Sequence, residues 1–164
     1  MSNSASSSNK TSRRRAPVPR DKCGMAHAAG ILGDRWVLLI LRECFYGITR
    51  FEDLRADLDA PRAVLSQRLS FLVSRGLLER RAYQEAGSRT RFEYRLTPAG
   101  SEAVLVLLAL KEWGERNLLG ESGEIQLVER ATGKPLHVSL VTSEGTAVDP
   151  QDIEIRLNEG LSPT

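Results

Sequence analysis

Apolar side chains in the first half of the chain recur every three or four positions, which is the spacing of helices. This spacing predicts four consecutive helices, which cover residues 22–32, 34–47, 51–58 and 61–75. Asp34 is expected to cap the second helix by accepting hydrogen bonds from its free backbone N–H groups. Pro61 follows a break and is expected in the first turn of the fourth helix, which Gly76 ends.

Beyond Gly76 the pattern changes to two strand-like runs, at residues 77–84 and 90–96. Residues 85–88 between them include a Gly-Ser pair, so the two runs predict a β-hairpin. The order of four helices, a hairpin and a further helix is that of a winged helix-turn-helix domain. The expected fold class is therefore mainly α with a β-hairpin wing (α+β), together with a small β-rich C-terminal appendage.

The helix after the hairpin has a clear start at Thr97 and Pro98, because threonine caps helices and proline suits their first position. We expect this helix to continue to about Leu119. Its residues 103–110 are apolar on every side. A surface helix needs only one apolar stripe, so the domain is expected to cover one side and a second subunit the other.

The remaining segments divide the chain into three parts. Residues 1–20 are rich in Ser, Asn, Arg and Pro, and predict a disordered basic tail. Residues 21–120 form the predicted winged helix-turn-helix and dimerisation domain. Residues 121–164 form the predicted appendage, with candidate strands at 125–129, 136–141 and 153–156.

Charge is unevenly distributed along a chain whose formal net charge is only +2. The tail 1–20 carries five basic residues and no acid, whereas residues 121–164 carry three basic residues and eight acids. Residues 61–95 hold eight arginines against three glutamates. This concentration predicts a surface that binds a polyanion, most simply nucleic acid, although a solvated arginine-rich surface is the alternative.

In a winged helix-turn-helix domain the second helix of the pair enters the major groove of DNA. The predicted helix 61–75 and its hairpin therefore supply the candidate DNA-binding residues, which are Arg62, Ser66, Gln67, Arg68, Ser70, Arg80, Arg89 and Arg91. Their side chains can donate hydrogen bonds to base edges or to phosphate oxygens.

Several motifs, in order and at matching spacing, resemble the HxlR-type winged-helix regulators, which are related to the MarR type. They are Gly33-Asp34-Arg35-Trp36, Arg50-Phe51-x-x-Leu54, Leu65-x-x-Arg68-Leu69-x-x-Leu72, Gly76-Leu77-Leu78-x-Arg80, Glu93-Tyr94-x-Leu96-Thr97-x-x-Gly100 and Trp113. The resemblance implies a transcription regulator, by family habit a repressor, that binds an inverted-repeat operator as a homodimer. It also implies that the segment 23–32 and the last long helix build the dimer interface, and that Arg91 is the wing arginine.

Cys23 matches the N-terminal cysteine of the family, which in some members senses oxidants or electrophiles. The neighbouring Lys22 and a helix N-terminus would favour its reactive thiolate form, so a thiol-reactive or small-molecule effector is one hypothesis. The alternative is a small packing residue in the dimer interface. Cys44 is expected in the core, and two cysteines predict neither a disulfide framework nor a structural zinc site.

Other functions are less well supported by the sequence. His27 and His137 are the only histidines, lie far apart and accompany no nucleophile motif, and no Gly-rich phosphate loop occurs, so we expect neither an enzyme nor a cofactor. The alternative function is a winged-helix protein-interaction module without specific DNA binding. The longest apolar run has eight residues and no secretory signal is visible, so we expect a cytoplasmic protein that does not enter membranes.

Overall fold

The computed structural model describes residues 18–84, 87, 89–120 and 123–156. Its helices are α1 (Gly24–Leu32), α2 (Arg35–Phe45), α3 (Phe51–Asp57), α4 (Arg62–Ser74), α5 (Pro98–Glu102) and α6 (Val104–Gly114). Its strands are β1 (Leu78–Tyr83), β2 (Arg91–Leu96), β3 (Leu140–Val141) and β4 (Ala147–Val148). The predicted winged helix-turn-helix fold is confirmed. The first seventeen residues of the predicted tail lie outside the described residues.

The core forms around α2, which buries Val37, Ile40 and Leu41 completely. Asp34 begins this helix as predicted, because its Oδ1 accepts hydrogen bonds from the backbone N–H groups of Trp36 at 2.9 Å and Val37 at 3.2 Å. These bonds satisfy two of the N–H groups that a helix start leaves free. Cys44 is also buried in this core, as expected.

The turn between α3 and α4 aligns the two helices of the helix-turn-helix. Asp59 has a φ of 46°, a left-handed conformation that aspartate tolerates better than most residues. Pro61 was predicted in the first turn of α4, and this prediction is wrong. Pro61 is instead the N-cap, because its backbone is still extended, with a ψ of 133°. Leu65, Leu69 and Leu72 fall on one side of α4 and are buried against α2 and β1.

The wing is an antiparallel pair in which Leu78 of β1 faces Leu96 of β2 and Tyr83 faces Arg91. Leu78 is buried at its base, whereas the residues toward its tip are mostly exposed. The wing is attached to the start of α3 by a bridge between Arg50 and Glu93. This attachment holds the wing beside the helix-turn-helix pair.

The last long helix is interrupted where the sequence predicts continuity. Thr97 caps α5 as predicted, and its Oγ1 accepts the backbone N–H of Gly100 at 3.0 Å. Gly100 is required there, because a Cβ would lie 2.0 Å from the carbonyl oxygen of Leu77. Ala103 separates α5 from α6 with a shallow ψ of −17°, and residues 115–119 close the helix as a π-helical turn.

The C-terminal segment forms one short hairpin, β3–β4, and a single bridge between Val128 and Pro135. Residues 153–156 were expected as a strand but are irregular, and β4 lies instead at 147–148. Thr142 and Thr146 close the hairpin through a backbone hydrogen bond of 2.9 Å. The segment contacts α6 where the backbone N–H of Val138 donates to the Glu112 carboxylate at 2.8 Å.

Within the described ranges, no helix is by itself long and apolar enough to cross a membrane. Taken together, α1 and α2 reach the length and composition of a broken span, with a bend of 81° between them.

Asp34 also reaches a second helix, because its Oδ2 accepts hydrogen bonds from Arg68 of α4, from Nε at 3.1 Å and Nη2 at 2.8 Å. We expect Asp34→Ala to lower the free energy of unfolding by about 1–2 kcal/mol, since it removes both the cap and the ion pair. Asp34→Asn keeps a capping oxygen and should lose less. Urea unfolding at neutral pH measures both variants. The exposed Asp57→Ala is the matched control, and an equal loss in it would contradict this role.

The same carboxylate predicts a dependence of stability on pH. Burial by itself raises the pKa of Asp34, but the Arg68 side chain and the two backbone N–H donors outweigh it and hold the pKa below its ordinary value of 3.8. The stabilisation is therefore complete above that value and is lost as the pH falls through the lower folded pKa. Asp34→Asn should unfold with a weaker acid dependence than the wild type. Identical acid profiles for the two proteins would refute the prediction.

Candidate nucleic-acid interface

The outer side of α4 is polar and exposed. Arg62, Ser66, Gln67 and Ser70 are all exposed there, and together we call them the reading face. Their three- and four-residue spacing places them on one side of the helix, and the leucines between them are buried in the core. The structure thus brings together four of the residues that the sequence selects for DNA binding.

Arg62 stands at the first turn of α4 and is held by two residues of α3. Its Nη1 donates to Oε1 of Glu52 at 2.9 Å, and its guanidinium lies 5.0 Å from the centre of the Phe51 ring. Both charged side chains remain more than half exposed. Pro61, the N-cap before it, has no side-chain donor or acceptor, so no side chain caps this end of α4. The first backbone N–H groups of α4 can therefore face an anion.

Arg68 is on α4 but not on the reading face. Its guanidinium binds Asp34 at the start of α2, and its side chain is only 30% exposed. The position follows from the helical spacing, because Arg68 lies three residues after Leu65 and four before Leu72, both of which are buried. The sequence could not place this arginine, because its charge is the same whether it faces DNA or another helix.

The wing arginines differ in what they contact. The Arg80 guanidinium lies 3.4 Å from the centre of the Phe92 ring, across the hairpin. Arg81 pairs with Glu79 on its own strand, with 2.5 Å between Nη2 and the carboxylate. Arg89 and Arg91 are exposed toward the wing tip. Residues 85, 86 and 88 of the predicted turn lie outside the described residues, whereas Gly87 is described and has a φ of 76°.

An open cleft of about 510 Å³ separates the wing from the starts of α3 and α4. Its basic side chains come from three elements and are Arg50, Arg62, Arg89 and Arg91, so we call it the arginine cleft. Aromatic rings line it as well, and the Arg50 guanidinium lies 4.5 Å from the centre of the Tyr83 ring. Stacking of this kind restricts a guanidinium without using its in-plane donors.

Arg50 is the functional candidate that the sequence analysis did not select. It precedes α3, and its backbone pairs with the wing, which brings its side chain into the arginine cleft. In the sequence, Arg50 stands out only by its place beside Phe51 in the Arg-Phe motif. The pairing of its backbone with the wing arises only in the folded chain. Two acids, Glu52 and Asp53, also line the cleft, so it is not uniformly basic.

A second exposed surface lies on the last long helix. Leu105, Val106 and Trp113 are 45–65% exposed, and we call them the outer face of α6. Large aromatic residues in helices usually pack in a core, yet only Trp36 packs against the core here, and Trp113 does not. An apolar groove of about 610 Å³ runs between α2 and α6 beside this face. Nearby, α1 buries none of its nine residues.

The two cysteines have different environments. Cys23 is the N-cap of α1 and is half-buried, without a side-chain hydrogen bond to the helix. Burial, with a smaller contribution from the adjacent Glu43, raises the pKa of Cys44 to about 12. Cys44 therefore stays a thiol near neutral pH, and its Sγ donates to the carbonyl oxygen of Tyr94 at 3.7 Å. Within the described residues, no cluster of His, Cys, Asp and Glu could hold a metal ion.

Comparison with known proteins agrees with this geometry. Residues 31–122 match the model of the HxlR-like helix-turn-helix family. An HTH-type transcriptional regulator of Mycobacterium tuberculosis is 43% identical over 94 residues, which are 57% of this chain and 58% of that relative. The match thus spans less than two thirds of the relative's length.

Two solved structures share the fold. The crystal structure of PA1607, described as a transcription factor, has a TM-score of 0.72 and 29% identity, and the match covers 84% of this chain and 96% of that one. PA1374 of Pseudomonas aeruginosa, also described as a transcription factor, has a TM-score of 0.58 and 31% identity, and the match covers 85% of this chain and 95% of that one. Both matches cover more of this chain than the family model does.

Proposed function

The chain belongs to the HxlR-like helix-turn-helix family, and we propose that it is a transcriptional regulator that binds a specific double-stranded DNA sequence as a homodimer. The observation that carries the proposal is the exposed polar reading face of α4 beside the arginine cleft. The mycobacterial relative is named as a regulator and not as an enzyme, which favours binding over catalysis. In the proposed division, residues 21–120 bind DNA and form the dimer.

The reading face supplies the proposed base contacts. Gln67 can bond the N6 and N7 edge of adenine with two hydrogen bonds, and Arg62 can bond the O6 and N7 edge of guanine in the same way. Ser66 and Ser70 can bond bases or phosphates. No acid lies on this face, whereas a module that recognises a basic protein would need one. This composition favours DNA over the protein-interaction alternative.

The wing supplies the proposed backbone contacts. Arg89 and Arg91 stand on the far wall of the arginine cleft from α4, where the sugar-phosphate backbone beside an occupied major groove would pass. Arg80 lies on the wing and can contribute to the same field. Arg68, in contrast, is proposed to position α4 through Asp34 and not to touch DNA. Phosphate contacts set orientation and salt dependence, whereas the reading face sets sequence.

The dimer is proposed to form through α1 and the outer face of α6. An apolar helix with no buried residue and an apolar helix face opposite the core both lack a cover within the chain as described. A two-fold axis through α6 would pair identical surfaces of two copies. Such a dimer would present two copies of α4 about 34 Å apart, one DNA turn, to an inverted repeat. We propose repression as the regulatory outcome of a dimer bound to such an inverted repeat.

The first prediction from the proposed function concerns sequence discrimination by Gln67. Gln67→Ala should reduce the preference for a DNA site selected from a randomised pool over random duplex by about 1–3 kcal/mol, because it removes a bidentate base contact. Both affinities should fall steeply with salt, since binding releases counterions. Fluorescence anisotropy at two salt concentrations measures them. Gln151→Ala, an exposed glutamine of the C-terminal segment, is the control, and a flat salt dependence of the wild type would contradict DNA binding.

The second prediction concerns assembly. The wild-type protein should sediment at twice the chain mass of 18.1 kDa, and Leu105→Glu should shift it toward the monomer because a charge enters an apolar interface. Leu105 is 65% exposed in the single chain, so the substitution leaves the core intact. Leu140→Glu changes an exposed leucine of β3 and should leave the dimer unchanged. A wild-type monomer at micromolar concentration would refute the proposed interface.

The third prediction concerns an oxidant effector acting through Cys23. Diamide should release the wild-type protein from DNA, and Cys23→Ser should abolish that release. Cys44→Ala should retain it, because the buried Cys44 thiol stays protonated and the thiolate is the reactive form. Anisotropy of the DNA complex before and after diamide, then after dithiothreitol, gives the answer. Equal release in the Cys23→Ser protein would exclude this thiol as the sensor.

A further inference from the structure

We propose that Glu52 is a specificity-determining residue, which holds the Arg62 guanidinium and so withholds it from the phosphates of non-target DNA. This inference rests on the proposed DNA-binding function. It assigns a role to an acid that lines the arginine cleft, where an acid would otherwise only weaken DNA binding. Glu52 acts through Arg62 and is therefore a positioning residue.

Both oxygens of the Glu52 carboxylate are engaged. Oε1 accepts from Nη1 of Arg62 at 2.9 Å, and Oε2 lies 3.3 Å from Nε of Arg55, one turn further along α3. Arg55 thus restrains the carboxylate at the (i, i+3) spacing of a helix surface. The Arg62 guanidinium is restrained in turn by the Phe51 ring, 5.0 Å away. Two successive residues of α3 therefore set the position of the first arginine of α4.

The ion pair between Glu52 and Arg62 affects the binding of non-target and target DNA differently. A phosphate competes with Glu52 for the positive charge of the same guanidinium. A non-specific contact therefore gains little charge attraction while Glu52 neutralises that charge. A guanidinium has five N–H donors, and only one Arg62 nitrogen is used by Glu52. The remaining donors can meet a guanine edge while the pair persists. Glu52 therefore weakens backbone contacts of Arg62 more than its base contacts.

Asp53 provides a matched comparison within the same cleft. It is the next residue of α3, is exposed, and lines the arginine cleft beside Glu52. No ion pair joins Asp53 to another described residue. Asp53→Asn and Glu52→Gln thus remove the same charge from nearly the same place. Only Glu52→Gln releases Arg62.

The experiment measures the affinity of full-length wild type, Glu52→Gln and Asp53→Asn for random duplex and for a pool-selected site. We expect Glu52→Gln to bind random duplex about five-fold more tightly, the upper end of what an exposed ion pair contributes. Its salt slope on random duplex should steepen by about one, because Arg62 neutralises one further phosphate. The selected-to-random affinity ratio should fall about as much. Asp53→Asn should change both affinities equally and leave the ratio unchanged.

A double variant tests whether the effect passes through Arg62. In an Arg62→Ala background, Glu52→Gln should change the binding of random duplex no more than Asp53→Asn does. Persistence of the full gain there, or equal ratios for Glu52→Gln and Asp53→Asn, would overturn the inference while leaving DNA binding intact. If the wild-type protein binds neither duplex, the proposed function fails and this inference with it. The two failures are therefore distinguishable.

Discussion

The arrangement of the helix-turn-helix depends on the contacts that the Asp34 carboxylate makes with α2 and α4. One oxygen closes the start of α2, and the other binds Arg68 in the middle of α4. A helix that presents side chains to a groove must be fixed in rotation as well as in position. The buried leucines of α4 fix its position against the core, but leucine packing tolerates small rotations. A directional ion pair anchored to a helix cap restricts that rotation, and it links the most buried helix to the one that carries the reading face.

Four arginines of this domain, Arg62, Arg68, Arg89 and Arg91, differ in their environments. Arg68 pairs with Asp34 inside the fold, whereas Arg62 pairs with Glu52 of α3 but remains exposed. Arg89 and Arg91 are exposed toward the wing tip. Net charge does not distinguish these groups, because each contributes one unit wherever it lies. The capacity to bind a polyanion therefore depends on how many guanidinium groups remain outside internal pairs. The cleft owes its character to that distribution and to the aromatic rings that hold Arg50 and Arg80 in place.

The sequence predicted features whose determinants are close together along the chain. The caps at Asp34 and Thr97 each involve residues within three positions, so the pattern alone identifies them. The roles of Arg68 and Arg50 depend on partners about 34 and 43 positions away, Asp34 and Glu93, and no local pattern encodes them. Ala103 has a high helical propensity, which predicts continuity, yet its ψ of −17° interrupts the helix between α5 and α6. In the C-terminal segment, short Val/Ile/Leu segments between Gly, Pro and Asp indicated strands. Short exposed strands, however, lack the packing that determines where pairing occurs.

The exposed condition of α1 has a consequence for how the N-terminal thiol becomes accessible. Nine residues are too few for a stable helix in water, and α1 buries none of them in the single chain. Its stability therefore depends on its contact with α2, where Leu32 packs against the core, and on any further surface that covers it. Binding of such a surface includes the free energy of ordering the helix. Because Cys23 is the N-cap, it lies at the end from which such a helix frays. If fraying of α1 exposes the Cys23 thiol further, its rate of modification should follow the local unfolding equilibrium of α1. Hydrogen exchange of the α1 amides measures that equilibrium without chemical modification.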